Sequence, residues 1–145
     1  MSDKLQGLLL GYIRENNPEL LQQLDEDDAL HAWVLEKIHD VELVLQHSKP
    51  GRIPDGEFLD LMTASLKPSR FHYMRDLLED QFPEEFDQLL ASGTLRFEII
   101  QLIGLCGHLF EEMPLRADME ENVQLDYAVK NVVFQHLLSI PADGL

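Results

Sequence analysis

The residues best able to do chemistry in this chain are its six histidines, its single cysteine and its 27 Asp and Glu side chains. Glu36-Lys37-Ile38-His39 has the Glu-x-x-His spacing that sets a carboxylate and an imidazole on one helix face, as helical bundles do to hold a pair of metal ions. Such a centre needs the motif on two helices. The related tetrad here, Asp28-Ala29-Leu30-His31, falls on or just before the same helix. Glu36 and His39 therefore read as a solvated surface pair. His31, His39 and His47 recur at intervals that rotate each by about 80° around a helix, too far for one mononuclear site. A single cysteine excludes a thiolate-rich zinc site, and Asp25-Glu26-Asp27-Asp28 lacks the glycine and alternating oxygen ligands of a calcium loop. No metal and no cofactor is expected.

Cys106 and His108 suggest a nucleophile and base by type, but two residues apart on a helix they point in widely different directions. Cys106 also lies in the most apolar stretch of the chain, where a thiol is inert. There is no Gly-x-Ser-x-Gly and no phosphate-cradling glycine loop, so no catalytic residue is expected and the chain reads as a non-enzyme. Lys67-Pro68-Ser69-Arg70 is the best small-ligand candidate. It sets two cations, Lys67 and Arg70, and the Ser69 hydroxyl at a helix start, where free backbone N–H groups receive anions. The plainer reading makes Ser69 a helix cap and Arg70 an ion-pair partner.

The elements that carry these residues are helical throughout, because apolar residues recur in steps of three and four and no segment alternates with a period of two. A first helix runs from Leu5 to Asn16; Asn17-Pro18 caps and starts a short one through Leu24. After the acidic run, a long helix to about His47 carries Leu30, Val34, Ile38, Val41 and Leu45 on one face, widened by Trp33. Two prolines and a glycine mark a loop over Ser48–Pro54. Asp55, Ser69 and Thr94 are placed to cap helices over 56–67, 70–82 and 95–113, and the intervening short helix from Pro83 closes on Gly93.

In the segment 94–113 the apolar residues go nearly all the way round, as in a helix surrounded by others. Gly104 and Gly107 within it are expected to admit a neighbouring helix. The last helix, about Glu120 to Ser139, is expected to bury Val123, Tyr127, Ala128, Val132, Phe134, Leu137 and Leu138 before Pro141 ends it. The fold class is all-α: one compact domain over 1–145, a bundle of about six or seven helices around the apolar helix at 94–113.

Composition narrows the partners. A net charge of −16 on 145 residues repels nucleic-acid phosphates and anionic membrane. Direct nucleic-acid binding is not expected, and neither is a membrane span, since no apolar run approaches the required length. One cysteine suits a reducing compartment, and the Leu8-Leu9-Leu10 run is too short for a secretory signal core, so the chain reads as cytoplasmic. Carboxylates near expected helix starts, at Asp25–Asp28, Asp55 and Glu57, Glu84 and Glu85, and Glu120 and Glu121, are explained by the helix macrodipole. Asp76, Glu79, Asp80, Glu111 and Glu112 are not, and they form the candidate face for a basic protein partner.

Tyr12-Ile13-Arg14-Glu15-Asn16-Asn17-Pro18-Glu19-Leu20, Leu66-Lys67-Pro68-Ser69-Arg70-Phe71 and the stretch from Asp118 to Leu137 together resemble a family of small all-helical bacterial domains of unknown function. The Lys-Pro before Ser69 departs from that pattern. The resemblance implies a single helical domain and no catalytic residues. Three functions then stand in order: an acidic helical adaptor for another protein; an acidic DNA mimic that inhibits a nucleic-acid enzyme; and a carboxylate and histidine metalloprotein at Glu36 and His39.

Overall fold

The computed structural model describes residues 2–48 and 54–139. The regular structure among them is all-α, with no strand. The described residues form nine α-helices and two 3₁₀ turns, more elements than the six or seven expected, because several expected helices are broken. Residues 49–53 of the loop expected over 48–54, and the helix stop at Pro141, lie outside the described residues. Among the described residues, no helix is long and apolar enough to cross a membrane. The chain divides into two compact units, Met1–Ser69 and Arg70–Leu145. The buried apolar side chains accordingly form two clusters, one in each unit, and the 94–113 segment serves only the second.

In the first unit, α1 (Ser2–Asn16), α2 (Pro18–Glu26), α3 (Leu30–Ser48) and α4 (Asp55–Thr63) surround one cluster. Leu5, Leu9 and Ile13 of α1 recur at steps of four and so share a face, which packs with Val34, Ile38, Val41 and Leu45 of α3 and Met62 of α4. Leu30 and Trp33 are half-buried, and Leu61 of α4 is exposed. A 3₁₀ turn, Ala64–Leu66, follows α4, and Lys67-Pro68 is a cis peptide.

Asn17 stands at the N-cap of α2 before Pro18, as its type suggests, yet its side chain does not cap. Instead its Nδ2 donates to the Leu66 carbonyl at 3.5 Å. Asp25 and Glu26 end α2 rather than begin the next helix, because the backbone turns over at Asp28 with φ of 58°. Ala29 N–H donates to Leu24 O at 2.8 Å and Asp28 N–H to Asp25 O at 3.2 Å, the paired bonds of a Schellman stop.

The second unit repeats that device. Here α5 (Arg70–Gln81), α6 (Pro83–Ser92), α7 (Leu95–Leu105), α8 (Gly107–Glu112) and α9 (Val123–Ser139) enclose a cluster that includes Met74, Leu78, Ile99, Leu102 and Phe110. Gly93 closes α6 at φ 77°, with Thr94 N–H on Leu89 O at 3.1 Å and Gly93 N–H on Leu90 O at 3.2 Å. Thr94 stands at the N-cap of α7 but makes no capping bond; its hydroxyl meets that of Ser92 at 2.7 Å.

The helix expected over 95–113 breaks at Cys106, between two glycines that each weaken a helix by about 1 kcal/mol relative to Ala. Those glycines do not admit a neighbour, since a Cβ at Gly104 or Gly107 would meet nothing within 4 Å. Phe97 and Leu105 of α7 face outward, so the segment is not surrounded on every side.

One substitution at two glycines therefore has opposite signs. Gly93→Ala forces a Cβ into the left-handed region and is expected to lower urea-unfolding stability by about 1 kcal/mol. Gly104→Ala, inside α7 with open space around it, is expected to raise stability by about 0.5–1 kcal/mol. A loss of stability in both variants would contradict the Gly104 assignment, and a gain in both the Gly93 assignment.

Candidate functional site

The last helix carries more apolar surface than the second unit covers. Leu125, Val129 and Val133 recur at steps of four and are buried. Val123, Tyr127, Phe134 and Leu138 lie about 150° around the helix from them. Those four, expected inside, are instead 62, 82, 52 and 69% exposed. Periodicity finds two apolar faces on this helix and cannot rank them. What ranks them is the polar residues that share each face. Asn122, His136 and Asp126 have partners only if the Leu125 face points inward.

Asn122 is buried and clamps the chain before α9, accepting from Arg116 N–H at 2.9 Å and donating to Arg116 O at 2.9 Å. His136 hydrogen-bonds the buried Glu98 of α7. Asp126 accepts the Tyr73 hydroxyl proton at 2.6 Å, tying α9 to α5. Tyr73 in turn meets the Phe110 ring edge to face, with centroids 5.9 Å apart. A second 3₁₀ turn, Met119–Asn122, leads into α9; it is capped by Asp118, whose carboxylate accepts from Glu120 N–H at 3.0 Å. That turn sets the exposed Met119 in line with Val123 and Tyr127.

Between α5 and α9 lies a groove of about 590 Å³, within the range of about 300–1,000 Å³ usual for ligand clefts. Tyr73, Leu77 and Phe82 line one wall, and Met119, Val123, Tyr127 and Phe134 the other. Carboxylates of Asp76 and Asp80, one turn apart on α5, and of Asp126 flank this apolar lining, with the ammonium of Lys130 on the α9 side. The groove thus combines an apolar floor with a mainly negative border. Such a surface can hold an apolar group that carries positive charge at its edge.

The sequence candidates fall unevenly around this groove. Asp76 and Asp80 border it, while Glu79, Glu111 and Glu112 are exposed outside its lining. The expected acidic face of five residues is therefore reduced to two at the groove, joined by Asp126. Lys67 and Ser69 end the first unit and Arg70 opens the second. The Ser69 hydroxyl donates to the Asn16 carbonyl. The Arg70 guanidinium lies 4.8 Å from the centre of the Phe110 ring, a cation–π contact. Glu36 and His39 are exposed on α3, and His31 is exposed near its start. Among the described residues, no three His, Cys, Asp or Glu side chains gather as a metal site would need. Cys106 is fully buried, as its apolar context predicts, and burial pushes its thiol from an ordinary 9.0 up to about 11. A thiol so protonated is a poor nucleophile.

Tyr73, Asn122, Glu98 and the outward face of α9 are the features that residue types alone do not reveal. Comparison with protein-family profiles, curated proteins and solved structures finds no match for the chain. The functional reading rests on the groove itself.

The buried acids of this unit make its stability sensitive to alkali. Burial first, then the hydrogen bond and charge of Asp126, and last the charge of Cys106, raise the Tyr73 phenol above its ordinary 10.0. Both Tyr73 and Cys106 are neutral in the fold and ionise more readily in the unfolded chain. Their stabilising contribution is full below the ordinary values of 9.0 for the thiol and 10.0 for the phenol, and is lost as pH rises through the raised ones. The urea midpoint is expected to fall as pH rises above 9, and Tyr73→Phe/Cys106→Ala is expected to flatten that fall. An unchanged slope in the double variant would contradict the assignment.

Proposed function

We propose that this chain is a non-enzymatic protein-interaction module of the cytoplasm, and that it takes a basic partner protein in the groove between α5 and α9. The observation that carries this reading is the row of Met119, Val123, Tyr127 and Phe134 standing exposed beside Asp76 and Asp80. Contiguous exposed apolar side chains are costly for a soluble domain to maintain and mark contact surfaces. Covering one large side chain contributes about 1.5–3 kcal/mol, and aromatic residues dominate such contacts. The carboxylates select the sign of the partner and speed its approach. An apolar floor also favours a partner that docks through apolar side chains over the DNA-mimic reading, in which carboxylates alone would have to imitate phosphates.

The test is affinity capture from lysate with the full chain and with Tyr127→Glu/Phe134→Glu, identified by mass spectrometry. Both positions are exposed, so the double variant is expected to keep its far-ultraviolet circular dichroism. A basic protein retained by the parent chain and lost by the variant is the expected result. Equal retention by both, or retention by neither, would refute the groove as the docking surface.

A further inference from the structure

We propose that the occupant of the α5–α9 groove is an amphipathic α-helix of the basic partner, with an apolar stripe on α9 and a row of Lys or Arg against Asp76 and Asp80. This rests on the groove being the docking surface and adds the form of what docks there.

The backbone argument comes first. Both walls of the groove are helices, whose N–H and C=O groups are bonded internally along their length, and no strand exists among the described residues. An extended segment laid on this surface would find no ladder to join. Its own backbone polar groups would lose water against Met119, Val123, Tyr127 and Phe134 without replacement. A helix brings its backbone bonds with it. It also matches the shape: the exposed α9 row from Val123 to Leu138 runs about 22 Å, four turns of a partner helix.

Charge then fixes the chemistry and the orientation of the faces. Asp76 and Asp80 are four residues apart on α5 and so lie about 6 Å from one another along the groove border. Lys or Arg side chains one turn apart on the occupant meet both carboxylates while its apolar stripe rests on α9. Asp126 adds a third carboxylate to the lining, with Lys130 four residues on along α9. A second copy of this chain is the poorer occupant, because each copy carries a net charge of −16.

Three synthetic peptides of about 18 residues, long enough for five helical turns, test the inference by fluorescence anisotropy at about 100 mM salt, where surface charges more than about 10 Å apart are screened. The first carries a Leu stripe at helical spacing flanked by Lys, the second replaces Lys by Glu, and the third keeps the first composition with two prolines inserted. The full chain is compared with Asp76→Lys/Asp80→Lys, with Phe134→Glu, and with Glu84→Lys/Asp87→Lys, which makes the same charge change on exposed α6 positions.

The expected result is that the Lys helix binds at least about tenfold tighter than the other two peptides. Asp76→Lys/Asp80→Lys should weaken it about tenfold, and the α6 variant less than about threefold. Equal weakening by both charge reversals would overturn the inference as general charge attraction. Equal binding of the proline peptide, with both peptides weakened by Phe134→Glu, would overturn the helical occupant and leave the groove standing as a docking surface. Insensitivity of every peptide to Phe134→Glu would instead reject the groove. Concentration-dependent self-association of the full chain that Phe134→Glu abolishes would assign the face to a second copy and overturn the proposal.

Discussion

The second unit depends on one constraint: α9 has two apolar faces and neighbours enough to cover one. Burial of Leu125, Val129 and Val133 alone does not decide the outcome, since the opposite face offers residues at least as large. The decision comes from polar groups that need partners. Asn122 finds both the N–H and the C=O of Arg116, Asp126 finds the Tyr73 hydroxyl and His136 finds Glu98. Turning the helix over would leave the buried Tyr73 hydroxyl and Glu98 carboxylate against apolar side chains, at about 1–3 kcal/mol for each unsatisfied buried group. The hydrogen bonds thus choose the register, and the exposed row of Tyr127 and Phe134 follows from that choice.

The same constraint gives the negative charge a location. Asp55 and Glu57 lie in the first turn of α4, and Glu84 and Glu85 in that of α6, where the macrodipole favours carboxylates. Asp55 also meets the Lys4 ammonium at 2.8 Å. Asp25 and Glu26 break that pattern by ending α2, a consequence of the left-handed turn at Asp28. Asp76 stands in the middle of α5 and Asp80 in its last turn, so no helix start accounts for either. Their position beside an apolar groove is what separates them from the rest of the acidic surface.

Much of the architecture is legible in the residues. Pro18, Pro83 and Gly93 punctuate the helices where their backbone geometry requires, and the stripe of Val34, Ile38, Val41 and Leu45 is the buried face of α3. Caps are less legible: Asn17 and Thr94 occupy cap positions, yet their side chains bond elsewhere. The break at Cys106 shows how two glycines spaced three apart interrupt a helix whose apolar pattern continues unbroken. Of the site, Asp76 and Asp80 are visible as charge without a structural reason. The apolar wall of α9 is hidden, because hydrophobic spacing reports that a face exists and not which way it points. That information resides in pairings such as Tyr73 with Asp126, across more than fifty residues of chain.

Hydroxyl-radical footprinting of the free full-length chain at low concentration tests the central claim most directly, because it reads which face of α9 meets water. Oxidation of Met119, Tyr127 and Phe134 at rates near those of the unfolded chain, with Leu125, Val129 and Phe110 strongly protected, is the result that agrees with an open groove. Protection of Tyr127 and Phe134 equal to that of Phe110 would mean that the chain covers this face itself, and would contradict the account.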